Sequence, residues 1–434
     1  MMPARRLFAL LWLWAAAGVA VSLHMQWVDL WWLAGGAIAL AGVIDALLTW
    51  QRAPLRIERR VMGSLPLGVW STVELKLHNP NRAAVGVEIF DHVPQSMDHE
   101  GLPAAVTVPG GGWVRVRYRL RPTARGILHF APAQIRQRSP LALWRPTRRI
   151  GAASTVHVYP NFAAVSKYAL LAHDQRQNEM GIRKRRRRGE GLEFHQLREY
   201  RDGDSMRQID WKATSRLHKL ISRDYQDERD QRVVFLVDCG RRMRAADGDL
   251  SHFDHTLNAL LLLSYVALRQ GDAVGLMTFS GDGRWLAPRK GAAAVNLVLN
   301  TVYDLQPGLQ APDYSNAATE FMVRQRKRAL VVLVTNVRDE DTDDLLPALH
   351  LLRRRHLVLL ASLKEGVIDE ALNAPVDGFD SALEHAAAQE YLVYRREAHT
   401  ALEHQGVLTL DVRPDQLPVG LVNRYLQIKS SGML

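Results

Sequence analysis

Cysteine is almost absent from this chain of 434 residues, with Cys239 the single example. No internal disulfide framework can form, which excludes a disulfide-stapled secreted scaffold and fits a reducing compartment. Several catalytic signatures are missing too. There is no Gly-x4-Gly-Lys-Ser/Thr phosphate loop, so the chain is not expected to hydrolyse ATP itself. Neither a His-Glu-x-x-His pair nor a Gly-x-Ser-x-Gly elbow occurs. Arg241 and Arg242 would lower the Cys239 pKa, but no histidine stands near it in sequence. A small residue filling a strand end accounts for Cys239 better than a nucleophile does. No repeat or low-complexity tract is present.

Positive charge is plentiful, with a formal net charge of +11. It is unevenly placed, because Arg183-Lys184-Arg185-Arg186-Arg187-Arg188 alone supplies six cations. Three readings compete for this run. Contact with anionic lipid headgroups is favoured, since the N-terminus reads as membrane-embedded. A site on another protein comes second. Nucleic acid is disfavoured, because no binding fold or aromatic interleaving accompanies the run.

The membrane reading rests on two apolar runs, 7–23 and 27–50, the second interrupted by Asp29 and Asp45. Each is near the roughly 20 residues that cross a bilayer, and only His24, Met25 and Gln26 separate them. A tight transmembrane hairpin is expected. Arg5 and Arg6 precede it, and Arg52, Arg56, Arg59 and Arg60 follow. The positive-inside rule then places both termini and the bulk of the chain on the cytoplasmic side of the inner membrane. A cleaved signal peptide fits less well, because a second apolar run follows at once. Asp29 is expected at the outer interface, and Asp45 to snorkel or pair with an arginine.

From 55 to 160 the pattern becomes short alternating stretches, such as 73–78 and 114–120, separated by turns at Asn79-Pro80-Asn81 and Pro109-Gly110-Gly111-Gly112. Period-2 alternation at this spacing predicts an antiparallel β-sandwich. Beyond Arg232 strands and helices alternate. Strands are expected over 233–237, 273–279, 329–335, 357–362 and 407–411. Helices are expected over 253–269, 292–303, 315–326, 342–354, 381–404 and 417–430. That order predicts a doubly wound parallel α/β sheet. The organisation is therefore a two-span hairpin (1–52), a β-sandwich (55–160), a basic connector with a charged motif (161–231), and an α/β domain (232–434).

The charged motif is Gly191-Leu192-Glu193-Phe194, Leu197-Arg198-Glu199-Tyr200, Gly203-Asp204, Arg207 and Ile209-Asp210-Trp211. Its charges of both signs suit a clamp of charge-assisted hydrogen bonds, or a docking surface. The Gly203-Asp204 pair reads as a turn capping the helix after it. Acid–base chemistry is disfavoured, since no nucleophile or paired base is apparent. Together with Leu417-Pro418, Leu421-Val422-Asn423-Arg424-Tyr425 and Lys429, the motif resembles the domain-of-unknown-function-fifty-eight family, a von Willebrand factor type A-like group. The resemblance implies a partnership with a MoxR-type AAA+ ATPase and a role as an adaptor or assembly factor at the membrane.

In von Willebrand type A domains the first strand carries Asp-x-Ser-x-Ser, whose oxygens hold a divalent metal, joined by ligands from two further loops. Here Asp238 keeps the first ligand, but Gly240 and Arg242 replace both serines. Ser315 falls near the second loop, and Asn336 replaces the expected acid of the third. A degenerate site results, with magnesium binding disfavoured and an Asp238–Arg242 ion pair expected instead. The exposed sheet edge around Asp238, Gly240, Arg241 and Arg242 becomes the candidate partner surface. The competing reading is an envelope-related hydrolase or transferase with unrecognised chemistry.

Overall fold

The computed structural model describes residues 1–23, 25–161, 193–201, 206–226 and 231–434. The basic run 183–188 and the motif residues Gly203 and Asp204 lie outside them. The chain divides into two compact units, Met1–Tyr159 and Pro160–Leu434.

The first unit opens with helix Arg5–Val21, of 17 residues, followed by helix Val28–Gln51, of 24. Among the described residues one helix, Val28–Gln51, is long and apolar enough to cross a membrane. The two helices meet at Trp14 and Trp31, whose rings stack 4.4 Å apart and nearly parallel. Each indole N–H donates to the other residue's backbone carbonyl, at 3.0 and 2.9 Å. Gly35 makes this approach possible, because a Cβ there would lie 2.8 Å from the Trp14 ring.

Asp45 neither snorkels nor meets an arginine. It is fully buried, and its carboxylate accepts hydrogen bonds from the Ser139 hydroxyl and from the Leu141 and Leu143 amides. An aspartate on an apolar helix is expensive unless every oxygen is satisfied. Here the β-strand region provides those donors, so the helices and strands belong to one unit.

Those strands form three larger sheets, beside the short pairing of Met2–Pro3 with Trp144–Arg145. One runs Arg56–Arg60, Ser71–His78, Trp113–Pro122, Met97–Glu100, and a second Thr147–Ile150, Ala133–Gln137, Val85–Phe90, Ala104–Val108, both antiparallel. A third joins Ser154–Tyr159 to Gly126–Phe130 and, in parallel, to Ser64–Pro66. Alternation is realised as the pleat demands. Val73, Leu75 and Leu77 are sealed inside, while Thr72 and His78 are exposed. The Arg59–Asp91 ion pair, joined at 2.7 Å by the Tyr118 hydroxyl, lies buried among the strands.

The second unit is built on a six-stranded sheet in the order Trp285–Arg289, Ala273–Phe279, Arg232–Asp238, Leu330–Thr335, Leu357–Leu363, Leu408–Val412. Five strands are parallel, and the central residues of four of them are continuously buried while Leu408–Val412 at the edge is partly exposed, as expected when helices cover both faces of the sheet's centre. His252–Arg269, Ala293–Val302 and Leu417–Ser430 pack on one face, Tyr314–Arg324 and Thr342–Arg353 on the other. Trp285–Arg289 departs from the parallel expectation by pairing antiparallel at the edge. Pro288 suits that place, since a missing N–H is tolerated on an edge strand. The C-terminal helix is tied down by Asp272, fully buried, which accepts from the Tyr425 hydroxyl and, at 2.7 Å, from the Lys429 ammonium.

Candidate functional site

The parallel strands deliver their last residues to one edge of the sheet. Asp238 ends the first strand, Thr335 and Asn336 end the strand beside it, and Ser362 the next. Asp238 is fully buried. One carboxylate oxygen accepts from the Gly240 N–H at 2.7 Å, the other from the Thr335 hydroxyl at 2.8 Å. The Thr335 hydroxyl also bonds the Tyr314 hydroxyl at 3.0 Å. Burial pushes the Asp238 carboxyl up to about 6, against the bonds from Thr335 and Gly240. Gly240 is required by packing: a Cβ there would lie 2.8 Å from the Gln310 carbonyl oxygen. The position where a von Willebrand metal site carries its first serine has no room here for a side chain.

The expected Asp238–Arg242 pair is not the arrangement found. Arg242, on the turn Arg241–Arg244, is bonded to Asp341 and Glu340 in the loop after the Leu330–Thr335 strand. Burial opposes its charge, but the Asp341 carboxylate holds the guanidinium protonated. Asp341 also accepts from the Arg338 N–H at 2.9 Å. Asn336 donates its amide to Glu365 at 2.9 Å, and Arg338 reaches the same carboxylate at 3.0 Å. Ser315 is bonded to Asp344 at the start of the next helix. The candidate metal residues Asp238, Ser315 and Asn336 are thus each engaged by protein groups.

Arg395, from helix Phe379–His404, completes the network. Its side chain is 3% exposed. It donates to Asp411 at 2.7 Å, to Ser362 at 2.7 Å, and to the carbonyls of Val337 and Leu363 at 2.8 and 2.9 Å. The sequence reading missed Glu340, Asp341, Glu365 and Arg395. One signal was available: Ala388, Arg395, His399 and Leu402 recur at helical spacing and all lie buried, so Arg395 and His399 sit on the inward face of a helix.

The expected exposed edge is therefore mostly covered. Asp238, Gly240, Arg242 and Asn336 are buried, and Arg241 is the exposed member of the candidate partner set.

The charged motif forms a separate module. Strand Glu193–Glu199 pairs antiparallel with Ile221–Gln226 and frames helix Trp211–Leu217. The helix is capped by Asp210, which accepts from the Lys212 and Ala213 amides at 3.0 Å and from Arg223 at 2.9 Å. Those bonds hold the Asp210 carboxyl below its usual range, the Ala213 amide first. Lys219 pairs with Glu199 at 2.9 Å. The cap is Asp210, whereas the expected Gly203-Asp204 cap falls outside the described residues. Trp211 is exposed at 67%, and in the same module Met206 is exposed at 77% and Leu217 at 58%.

Residues 196–387 match the family model described as a protein of unknown function, DUF58. An uncharacterized protein of Bacillus subtilis, YeaD, is 22% identical over 323 residues, covering 72% of this chain and 75% of that one. Among solved structures, a PapD-like domain of human CEP192 matches 24% of this chain and 84% of its own length, at 14% identity and a TM-score of 0.19. A FixG-related protein from Vibrio parahaemolyticus matches 24% of this chain and 94% of its own length, at 12% identity and a TM-score of 0.17. The match over residues 196–387 thus ties that stretch to the DUF58 family model, and the Bacillus relative extends the likeness over 72% of this chain.

Proposed function

We propose that this chain is a membrane-anchored interaction protein of the inner membrane, whose cytoplasmic α/β unit docks on a MoxR-type AAA+ ATPase to assist assembly or maturation of client proteins. The observation that carries the reading is the exposure of Trp211, with Met206 and Leu217, on a module braced by Asp210, Arg223 and Lys219. Exposed tryptophan rimmed by polar residues is the composition of a contact surface. Arg241, at the sheet edge, adds a charged contact.

Both N-terminal helices cross the bilayer in this reading. Trp12, Val19, Leu33 and Leu40 are each more than 60% exposed, which a core helix of a soluble protein does not tolerate but lipid does. The von Willebrand-like carboxyl edge is a closed variant. Both Asp238 oxygens are engaged, Gly240 has no room for a serine, and the Arg242 guanidinium stands beside Asp238, so the donor set does not fit a divalent cation. The test is capture of the purified ATPase by the full chain and by Trp211→Ala and Arg241→Glu variants.

A further inference from the structure

We propose that the base of the N-terminal helix pair binds an anionic phospholipid, its acyl chain in a groove of the helices and its headgroup on Arg138 and Arg145. The proposal rests on the membrane-spanning reading above and adds a ligand and its site.

The level of the site follows from Asp45. It lies about 26 Å along its helix from Val28 at 1.5 Å per residue, close to the roughly 30 Å thickness of the hydrocarbon core. Its carboxylate takes hydrogen bonds from Ser139 at 2.5 Å, Leu141 at 2.8 Å and Leu143 at 3.0 Å. Nearby, the Trp144 indole donates to the Gly42 carbonyl at 2.8 Å, and the Ala4 amide to Leu143 at 2.7 Å. Met2–Pro3 pairs antiparallel with Trp144–Arg145. The loop 139–145 is therefore fixed where both helices leave the membrane on the same side.

Two cavities meet this loop. The first is an apolar groove of about 890 Å³ lined by Leu7, Leu11, Ala39, Val43, Ala46 and Trp144, within the roughly 300–1,000 Å³ of ligand pockets. The second, of about 440 Å³, is lined by Arg136, Arg138, Arg145 and Glu88. Arg136 is paired with Glu88 at 3.0 Å. Arg138 and Arg145 make no ion pair among the described residues. Trp144 lines the groove and its neighbour Arg145 lines the basic cavity. An apolar slot at acyl depth beside two unneutralised guanidiniums at headgroup depth fits an anionic phospholipid in both halves.

The test uses the full chain in detergent micelles, titrated with brominated phosphatidylglycerol or brominated phosphatidylcholine while tryptophan quenching is followed. The parent should saturate at lower phosphatidylglycerol than phosphatidylcholine. The Arg138→Gln/Arg145→Gln variant should lose this preference by roughly thirtyfold, from the contribution expected of two arginines at a lipid surface. Ala46→Phe, which fills the groove, should weaken quenching by both lipids. Equal affinities in the parent, or an unchanged double variant, would overturn the proposal. So would displacement by glycerol phosphate alone, which marks a soluble-anion site. Alkaline carbonate extraction separates the two readings. Release from membranes overturns the anchor and this site together, whereas retention without lipid preference overturns this site only.

Discussion

The Arg242 guanidinium is bonded to the Asp341 carboxylate across two neighbouring loops of the sheet edge, with the Arg242 side chain 6% and Asp341 9% exposed. A buried cation thus stands among Asp238, Glu340 and Asp341. Calorimetry on the full chain is expected to give magnesium or manganese binding too weak for a micromolar site. Arg242→Ser should gain affinity, because it removes the competing cation and leaves three carboxylates near one another. A micromolar site in the parent that disappears in Asp238→Ala contradicts this account.

Two buried groups give opposite pH dependences. The Asp238 carboxyl is raised to about 6 in the fold against roughly 3.9 unfolded. The folded state holds that proton more tightly, so this contribution to stability falls as pH rises from about 4 to 6. Asp238→Asn should remove that slope and preserve the fold, since an amide can accept from Gly240 and donate to Thr335. Burial, with help from Arg355, lowers His356 to about 4, where its ring meets the Phe321 ring edge-on at 5.3 Å. Its contribution is present above about 6.5 and is lost as pH falls toward 4. His356→Leu should blunt that acid loss. Thermal midpoints between pH 4 and 7 check both; variant curves parallel to the parent's would contradict them.

Arg395 links three strand ends through Asp411, Ser362, Val337 and Leu363. Arg395→Ala removes their shared charged donor and should cost roughly 3–5 kcal/mol, read by chemical denaturation. Arg395→Lys should recover part of the loss, since an ammonium can replace some but not all of the fork. A loss below about 1 kcal/mol for the alanine variant would mean that water satisfies the same groups.

The orientation of the anchor is tested by a C-terminal reporter active only in the periplasm. It should stay silent in the full chain. Activity there would reverse the topology and place the α/β unit outside the cell.

Much of the fold was legible in the sequence because burial imposes period. The strand 273–279 and the helix 417–430 have the bounds expected from apolar spacing alone. Trp285–Arg289 was not legible, since an edge strand with Pro288 carries neither alternation nor a continuous apolar run. At the site, the Asp238 position was readable from its strand-end context, but its partners were not. Arg242 reaches Asp341 across 99 residues, and no local pattern distinguishes that contact from the nearer Asp238. Asp45 is similar: its donors lie 94 to 98 residues away, in a loop whose sequence gives no sign of facing the helix.

If the charged motif is a docking surface, it is the Trp211→Ala variant whose capture of the AAA+ ATPase should change. Trp211 is 67% exposed, so truncation should leave stability within about 0.5 kcal/mol of the parent. Removing an exposed aromatic anchor should nevertheless weaken capture at least thirtyfold, about 2 kcal/mol, as hot-spot residues do. The account predicts a variant with the parent's thermal midpoint and little bound ATPase. A variant that captures the ATPase as well as the parent, or one that unfolds, would contradict it.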